Sequence, residues 1–122
     1  MNLVDSSGWI EYFLDNPLAS KFEKFIHQPE SLIIPTTVSF EVYRHLLRNV
    51  DEKEVLFAVT QMEKADVIPL SQELAIYAAE LSLKHNLATA DSIIYATALM
   101  HEATLVTLDN DFRKLPGCEV IG

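Results

Sequence analysis

Cysteine is almost missing: Cys118 stands alone in 122 residues, so no internal disulfide can form and no thiolate cluster can hold zinc. A chain of this length buries roughly two thirds of the surface its unfolded form exposes and folds without such staples. A reducing, cytoplasmic setting is expected. Glycine is scarce too, with three residues, and no Asn-Gly or Asp-Gly pair occurs, which argues against a hairpin-rich sheet. Long apolar runs are lacking. Nothing approaches the roughly 20 uncharged residues that cross a bilayer, and Asp5 interrupts the start before a secretory apolar segment could form, so no membrane association is expected. There is no Gly-rich phosphate loop and no serine nucleophile elbow, which removes the required parts of P-loop, kinase and serine hydrolase chemistry.

Positive charge is the remaining shortage. Nine basic residues face 18 acidic ones, for a net charge of −9, which argues against broad attraction to nucleic acid phosphates. The four histidines, His27, His45, His85 and His101, show no metal-site spacing, and they read as surface or helix-end residues.

What the chain does contain is alternation. Short apolar runs at Asn2 to Val4, Ser31 to Ile34, Val67 to Leu70, Thr104 to Leu108 and Glu119 to Ile121 read as buried strands. Between them lie helical spacings. Phe22, Phe25 and Ile26 suit one face of a helix after Pro17, and Phe40, Tyr43, Leu46 and Leu47 suit another after Pro35. Asp51 and Glu54 have capping-box spacing ahead of Val55, Leu56 and Val59. Ser71 can cap a helix using Leu74, Ala78 and Leu81, and Asp91 opens one carrying Ile93, Ile94, Ala96, Ala98 and Met100. Strands alternating with helices predict an α/β fold: a mostly parallel sheet of about five strands with helices on both faces, as a single domain over residues 1–122.

Function in such a sheet gathers outside the carboxyl ends of the strands. Asp5 follows Leu3 and Val4 at the end of the first strand, and Asp109 follows Leu105 to Leu108 at the end of a later one. Glu41 falls in the first two turns of the helix after the second strand. Asp91 lies at a helix N-terminus, where the helix dipole favours an anion. Singly, each has an ordinary structural role as a turn residue, a cap or a solvated charge. Together they are costly: two unit charges about 4 Å apart repel by about 4 kcal/mol at an effective dielectric near 20, unless a cation or a proton offsets them. Hard oxygen donors select Mg²⁺ or Mn²⁺ over zinc. Carboxylate-held divalent ions activate water against a phosphodiester, which is nuclease chemistry.

Two other acidic-site α/β readings fail on particular residues. A phosphate-receiver domain needs an Asp at the end of its third strand, where Pro69, Leu70 and Ser71 stand. A haloacid-type phosphatase needs a second Asp two residues after Asp5, where Ser7 stands.

The segments "LVDSSGWIEYF", "SFEVYRHL", "ATADSIIYATAL" and "LVTLDNDF" occur in the order and spacing of PIN domains. The chain most resembles the VapC-like ribonuclease toxins of toxin–antitoxin systems, over essentially its whole length. The resemblance implies that Asp5, Glu41, Asp91 and Asp109 bind Mg²⁺ or Mn²⁺. It further implies that Asp111 is an accessory carboxylate and that Ser7 and Thr107 are hydroxyls hydrogen-bonding around the site. It also implies hydrolysis of RNA to a 3′-hydroxyl and a 5′-phosphate, a homodimer, and an antitoxin protein as partner. Tyr12, Phe13, Leu14 and the Val55 to Met62 helix are candidate surfaces for such contacts, the ordinary reading being core. Arg44, Arg48, Arg113 and Lys114 are candidate RNA contacts, with solvated helix charge as the ordinary reading. Trp9 and Tyr12 read first as core or interface aromatics and second as base-stacking surface. The rival from another class is a PIN-like fold without turnover, acting as a binding module.

Overall fold

The computed structural model describes residues 1–122. Five strands, β1 (Asn2–Val4), β2 (Leu32–Pro35), β3 (Asp66–Ile68), β4 (Thr104–Thr107) and β5 (Cys118–Val120), form one sheet in the order β3-β2-β1-β4-β5. Every neighbouring pair is parallel. Six helices connect and flank the strands: α1 (Ser6–Phe13), α2 (Ala19–Ile26), α3 (Thr36–Asn49), α4 (Glu52–Met62), α5 (Gln72–His85) and α6 (Thr89–Met100). The chain builds outward from β1 to β3, then crosses to the other side of β1 to lay down β4 and β5. The order therefore reverses between β1 and β4, which is where an open parallel sheet leaves a crevice.

The three central strands are apolar because they are covered on both faces. Leu3, Val4, Leu32, Ile33, Ile34, Leu105 and Val106 are all essentially inaccessible, and Trp9, Phe22, Tyr95 and Phe112 complete the packing around them. β3 departs from the expected buried strand. It is an edge, and its Val67 is largely exposed.

The cap signals at Asp51 and Ser71 and the stripe of α5 held. Asp51 accepts from the Glu54 N–H at 2.9 Å and Ser71 from the Leu74 N–H at 3.1 Å, and Leu74, Ala78 and Leu81 form the buried stripe of α5. Two expectations need correction. The buried face of α3 is Val38, Val42 and Leu46, while Phe40, Tyr43 and Leu47 point outward. Both stripes have helical spacing, and the one nearest the sheet is decided by how α3 leaves β2 without a break. α1 has no counterpart among the expected helices. Gly8 at its third position weakens the helical pattern, yet a Cβ there would come within 2.6 Å of the Phe22 ring and 2.7 Å of the Val4 side chain. The glycine is what allows α1 to pack so close to α2 and β1.

Candidate active site

Asp5 is placed by register. Val4 pairs with Val106, and the next step along both strands sets Asp5 beside Thr107, with the Asp5 N–H donating to the Val106 carbonyl at 2.9 Å. Asp5 is also the N-cap of α1, its carboxylate accepting from the Ser6 N–H at 2.7 Å. Thr107 Oγ1 donates to Asp5 Oδ2 at 2.8 Å and accepts from the Asp109 N–H at 3.0 Å. With the single Thr107 proton given to Asp5, the 3.4 Å contact with Ser7 Oγ has Ser7 as donor. Ser7 in turn accepts from the Leu108 N–H at 3.2 Å. The expected hydroxyls, Ser7 and Thr107, thus clamp the ends of β1 and β4 together and orient both strand-end carboxylates.

Asp109 caps the short turn Asn110–Phe112, accepting from the Asp111 N–H at 2.9 Å. The cap of this turn is Asp109 and not Asp111. Asp111 is the exposed charge inside the turn. Asp91 lies in the first turn of α6, two residues after the helix begins at Thr89 and not at its opening. Glu41 is on the second turn of α3, and its Oε1 is buried with no hydrogen-bond partner.

The electrostatics join these residues. Burial, then the Asp5, Asp109, Glu41 and Asp111 charges, lifts the Asp91 carboxyl to about 6. Glu41 is raised by burial and by Asp5, with the neighbouring Ser6 hydroxyl acting in the opposite direction. Asp5 is raised by burial and Asp109 despite its bonds from Thr107 and Ser6. Each of these shifts disfavours the charged form. No basic side chain relieves them, for the only ion pair in the chain is the exposed His27 and Glu23. The carboxylates share a rim without closing into a cage, since no three His, Cys, Asp or Glu side chains form a ready ligand group. Even so, the donors fit a hard divalent cation: all are carboxylate oxygens, and Glu41 Oε1 is a buried acceptor that lacks a donor.

Sequence reasoning missed Ser6, which bonds Asp5 and lies against Glu41. The Asp-Ser pair just after an apolar run was the available N-cap signal. The basic candidates divide. Arg44 and Arg48 line a cavity with Glu41, while Arg113 is tied by Nε and Nη2 to Asn110 Oδ1 at 3.2 and 2.8 Å. Lys114 is exposed. Trp9 is core, and Tyr12 bonds His27 Nε2 at 2.9 Å. Tyr12, Phe13 and Leu14 line a groove of about 520 Å³ with Leu46, Val50 and Phe57. On α4, Val55, Ala58 and Met62 are core, whereas Leu56 and Phe57 are exposed. No helix is long and apolar enough to cross a membrane.

A family-wide profile of the PIN domain matches residues 3–117. Three solved structures share the fold. A toxin–antitoxin complex from Klebsiella pneumoniae superposes with a TM-score of 0.86 at 23% identity, covering 98% of this chain and 97% of that one. Mycobacterium tuberculosis VapC20, described as a sarcin-ricin loop cleaving toxin, gives 0.80 at 17% identity over 100% of both chains. VapBC2 from Rickettsia felis, bound to a promoter DNA fragment, gives 0.76 at 16% identity over 98% and 96%. No curated protein matches the chain by sequence.

Proposed function

Because this chain belongs to the PIN-domain family, we propose that it is a Mg²⁺- or Mn²⁺-dependent endoribonuclease of the cytoplasm, the VapC-like toxin of a toxin–antitoxin pair, working as a homodimer. The observation that supports this most is the gathering of Asp5, Glu41, Asp91 and Asp109 charges without a basic partner, together with the unpartnered buried Oε1 of Glu41. Such a rim is electrostatically unfavourable alone and suited to a divalent cation.

In this reading Asp5, Glu41, Asp91 and Asp109 hold the ion, and Asp111 adds charge at the edge. When bound, the ion supplies positive charge at the scissile phosphate and lowers the pKa of the attacking water. The protein's own part is to orient and to manage protons. Thr107 fixes Asp5 Oδ2 and the backbone of Asp109 at once, so two donors from different strands keep one relative position. Asp91, lifted to about 6, would have to be deprotonated to serve as a ligand to that ion, its residual proton passing to solvent. Attack by water leaves a 3′-hydroxyl and a 5′-phosphate, with no use of the ribose 2′-hydroxyl.

The antitoxin partner is suggested by the toxin–antitoxin complexes among the structural relatives. The groove lined by Tyr12, Phe13, Leu14 and Phe57 is the apolar surface we assign to it.

The test is cleavage of a panel of short fluorescent RNAs by purified protein with Mn²⁺, with Mg²⁺ and with EDTA, beside Asp91→Asn from the same preparation. Metal-dependent cleavage that disappears in Asp91→Asn is the expected result. Cleavage equal in both proteins identifies a contaminating ribonuclease. Mn²⁺ binding with no cleavage supports the inactive binding module instead, and cyclic 2′,3′-phosphate ends overturn the water mechanism.

A further inference from the structure

Arg44 and Arg48 differ from Arg113 in having nothing to hold, and from the exposed Lys114 in lining a cavity. Arg113 is committed to Asn110, in the turn that carries Asp111. Neither Arg44 nor Arg48 belongs to the chain's one ion pair. They stand four residues apart on α3 and therefore share a face. Both line a cavity of about 590 Å³ whose wall also includes Ser6, Phe40, Glu41 and His45. That volume lies within the roughly 300–1,000 Å³ typical of small-ligand sites.

One end of this cavity is the acidic rim, since Glu41 and Ser6 belong to both. The two guanidinium groups follow along the helix, whose rise puts their backbone positions about 4.5 and 10.5 Å beyond Glu41. Phe40, 66% exposed, lines the same cavity and offers an aromatic face on which a base can stack. Polyanion anchors and a ring face therefore sit in one cavity that opens from the carboxylates. In a chain of net charge −9, a nucleic acid strand needs such local anchors, because the overall field repels it.

We propose that this cavity seats the RNA nucleotide adjoining the scissile phosphate, with flanking phosphates on Arg44 and Arg48 and the base against Phe40. The substrate then runs over the α3 side of the acidic rim and away from the Asn110–Lys114 side. A base engaged in this way must be unstacked, so the cavity takes a single strand or an unpaired loop and refuses a duplex. The inference rests on the nuclease reading and adds to it the direction of the substrate track.

The experiment is a fluorescence anisotropy titration of a short labelled single-stranded RNA, with Ca²⁺ present, across a series of salt concentrations. The wild type is compared with Arg44→Ala/Arg48→Ala, Phe40→Ala and Lys114→Ala, all at exposed positions, with thermal melts confirming folding. Loss of two phosphate contacts flattens the slope of log K against log salt by about 1.4. The double variant is expected to show that flattening with an affinity loss of about tenfold or more, Phe40→Ala a loss at unchanged slope, and Lys114→Ala neither. In Mn²⁺ the double variant raises KM with little change in kcat. Wild-type affinity in the double variant, or a loss confined to Lys114→Ala, overturns the track. Equal binding of a duplex overturns the single-strand assignment, and an acidic peptide that depends on Arg44 and Arg48 where RNA does not assigns the cavity to a protein partner. A wild type that binds and cleaves RNA regardless of Arg44 and Arg48 refutes this inference alone, whereas one that binds no RNA refutes the nuclease reading with it.

Discussion

Thr107 and Asp5, separated by 102 positions in sequence, are joined by a 2.8 Å hydrogen bond from Thr107 Oγ1 to Asp5 Oδ2, and Thr107 Oγ1 in turn receives the Asp109 N–H. One fully buried hydroxyl thus fixes two strand-end carboxylates. Thr107→Val keeps the shape and removes both bonds. With a buried donor and acceptor left unpaired, a loss of about 2 kcal/mol in urea unfolding is expected, along with weaker Mn²⁺ binding. Thr107→Ser restores the Mn²⁺ affinity. If the valine variant binds Mn²⁺ as the wild type does, the hydroxyl is merely structural.

Asp91 makes the chain's stability depend on pH in a direction opposite to that of a salt-bridged carboxylate. Its pKa is raised from 3.8 to about 6 in the folded state, so the folded protein holds this proton more tightly than the unfolded one. The contribution to stability is fully present below about pH 4 and is lost as pH rises through 6. Asp91→Asn is expected to raise stability at pH 7 without divalent ions by about 1 kcal/mol, after allowance for a side chain half open to solvent. It should also flatten the melting temperature between pH 4 and 6. Parallel pH profiles for the two proteins would show that the acidic rim carries no such strain.

Divalent cations should reverse that strain. Mn²⁺ binding only the folded state raises the melting temperature with concentration, and at pH 6 it releases protons. Calorimetric titration in two buffers of different ionisation enthalpy measures the release directly. Glu41→Gln weakens Mn²⁺ binding in this assay, and an unchanged isotherm removes Glu41 from the ligand set.

Gly8 is a packing requirement with no part in the chemistry. The 2.6 Å approach of a Cβ to the Phe22 ring and 2.7 Å to Val4 forces two core side chains to move. Gly8→Ala is expected to cost about 1–3 kcal/mol in denaturant unfolding, against the gain that alanine normally brings to a helix. A stabilised variant would mean that α1 can lift from α2 without penalty.

Leu46 and Leu47 test the corrected face of α3. Leu46 is 2% exposed and Leu47 57%, so Leu46→Ala is expected to cost about 2–5 kcal/mol and Leu47→Ala about 0.5 kcal/mol or less. Similar losses at both positions would return α3 to the broader apolar face that its sequence suggested.

By itself, the sequence determined the features that are encoded within a few neighbouring residues. The alternation of strand and helix, the caps at Asp51 and Ser71, the Leu74–Ala78–Leu81 stripe and the position of Asp5 and Asp109 at the ends of apolar runs follow from hydrogen-bond and side-chain periodicities, which act over one or two turns. Tertiary structure decided what depends on a partner far along the chain. The stripe of α3 that is buried is chosen by the sheet beneath it, and α1 forms despite Gly8 because Phe22 and Val4 fill the space that a side chain would take. Likewise, Thr107 reaches Asp5 only through the β1–β4 register, and Glu41 loses water only when α3 meets the strand ends. Even the contrast between a free Arg44 and a tethered Arg113 belongs to this class. A charge written in sequence carries no record of its neighbours in space, and those neighbours set its solvation, its proton and its availability to a ligand.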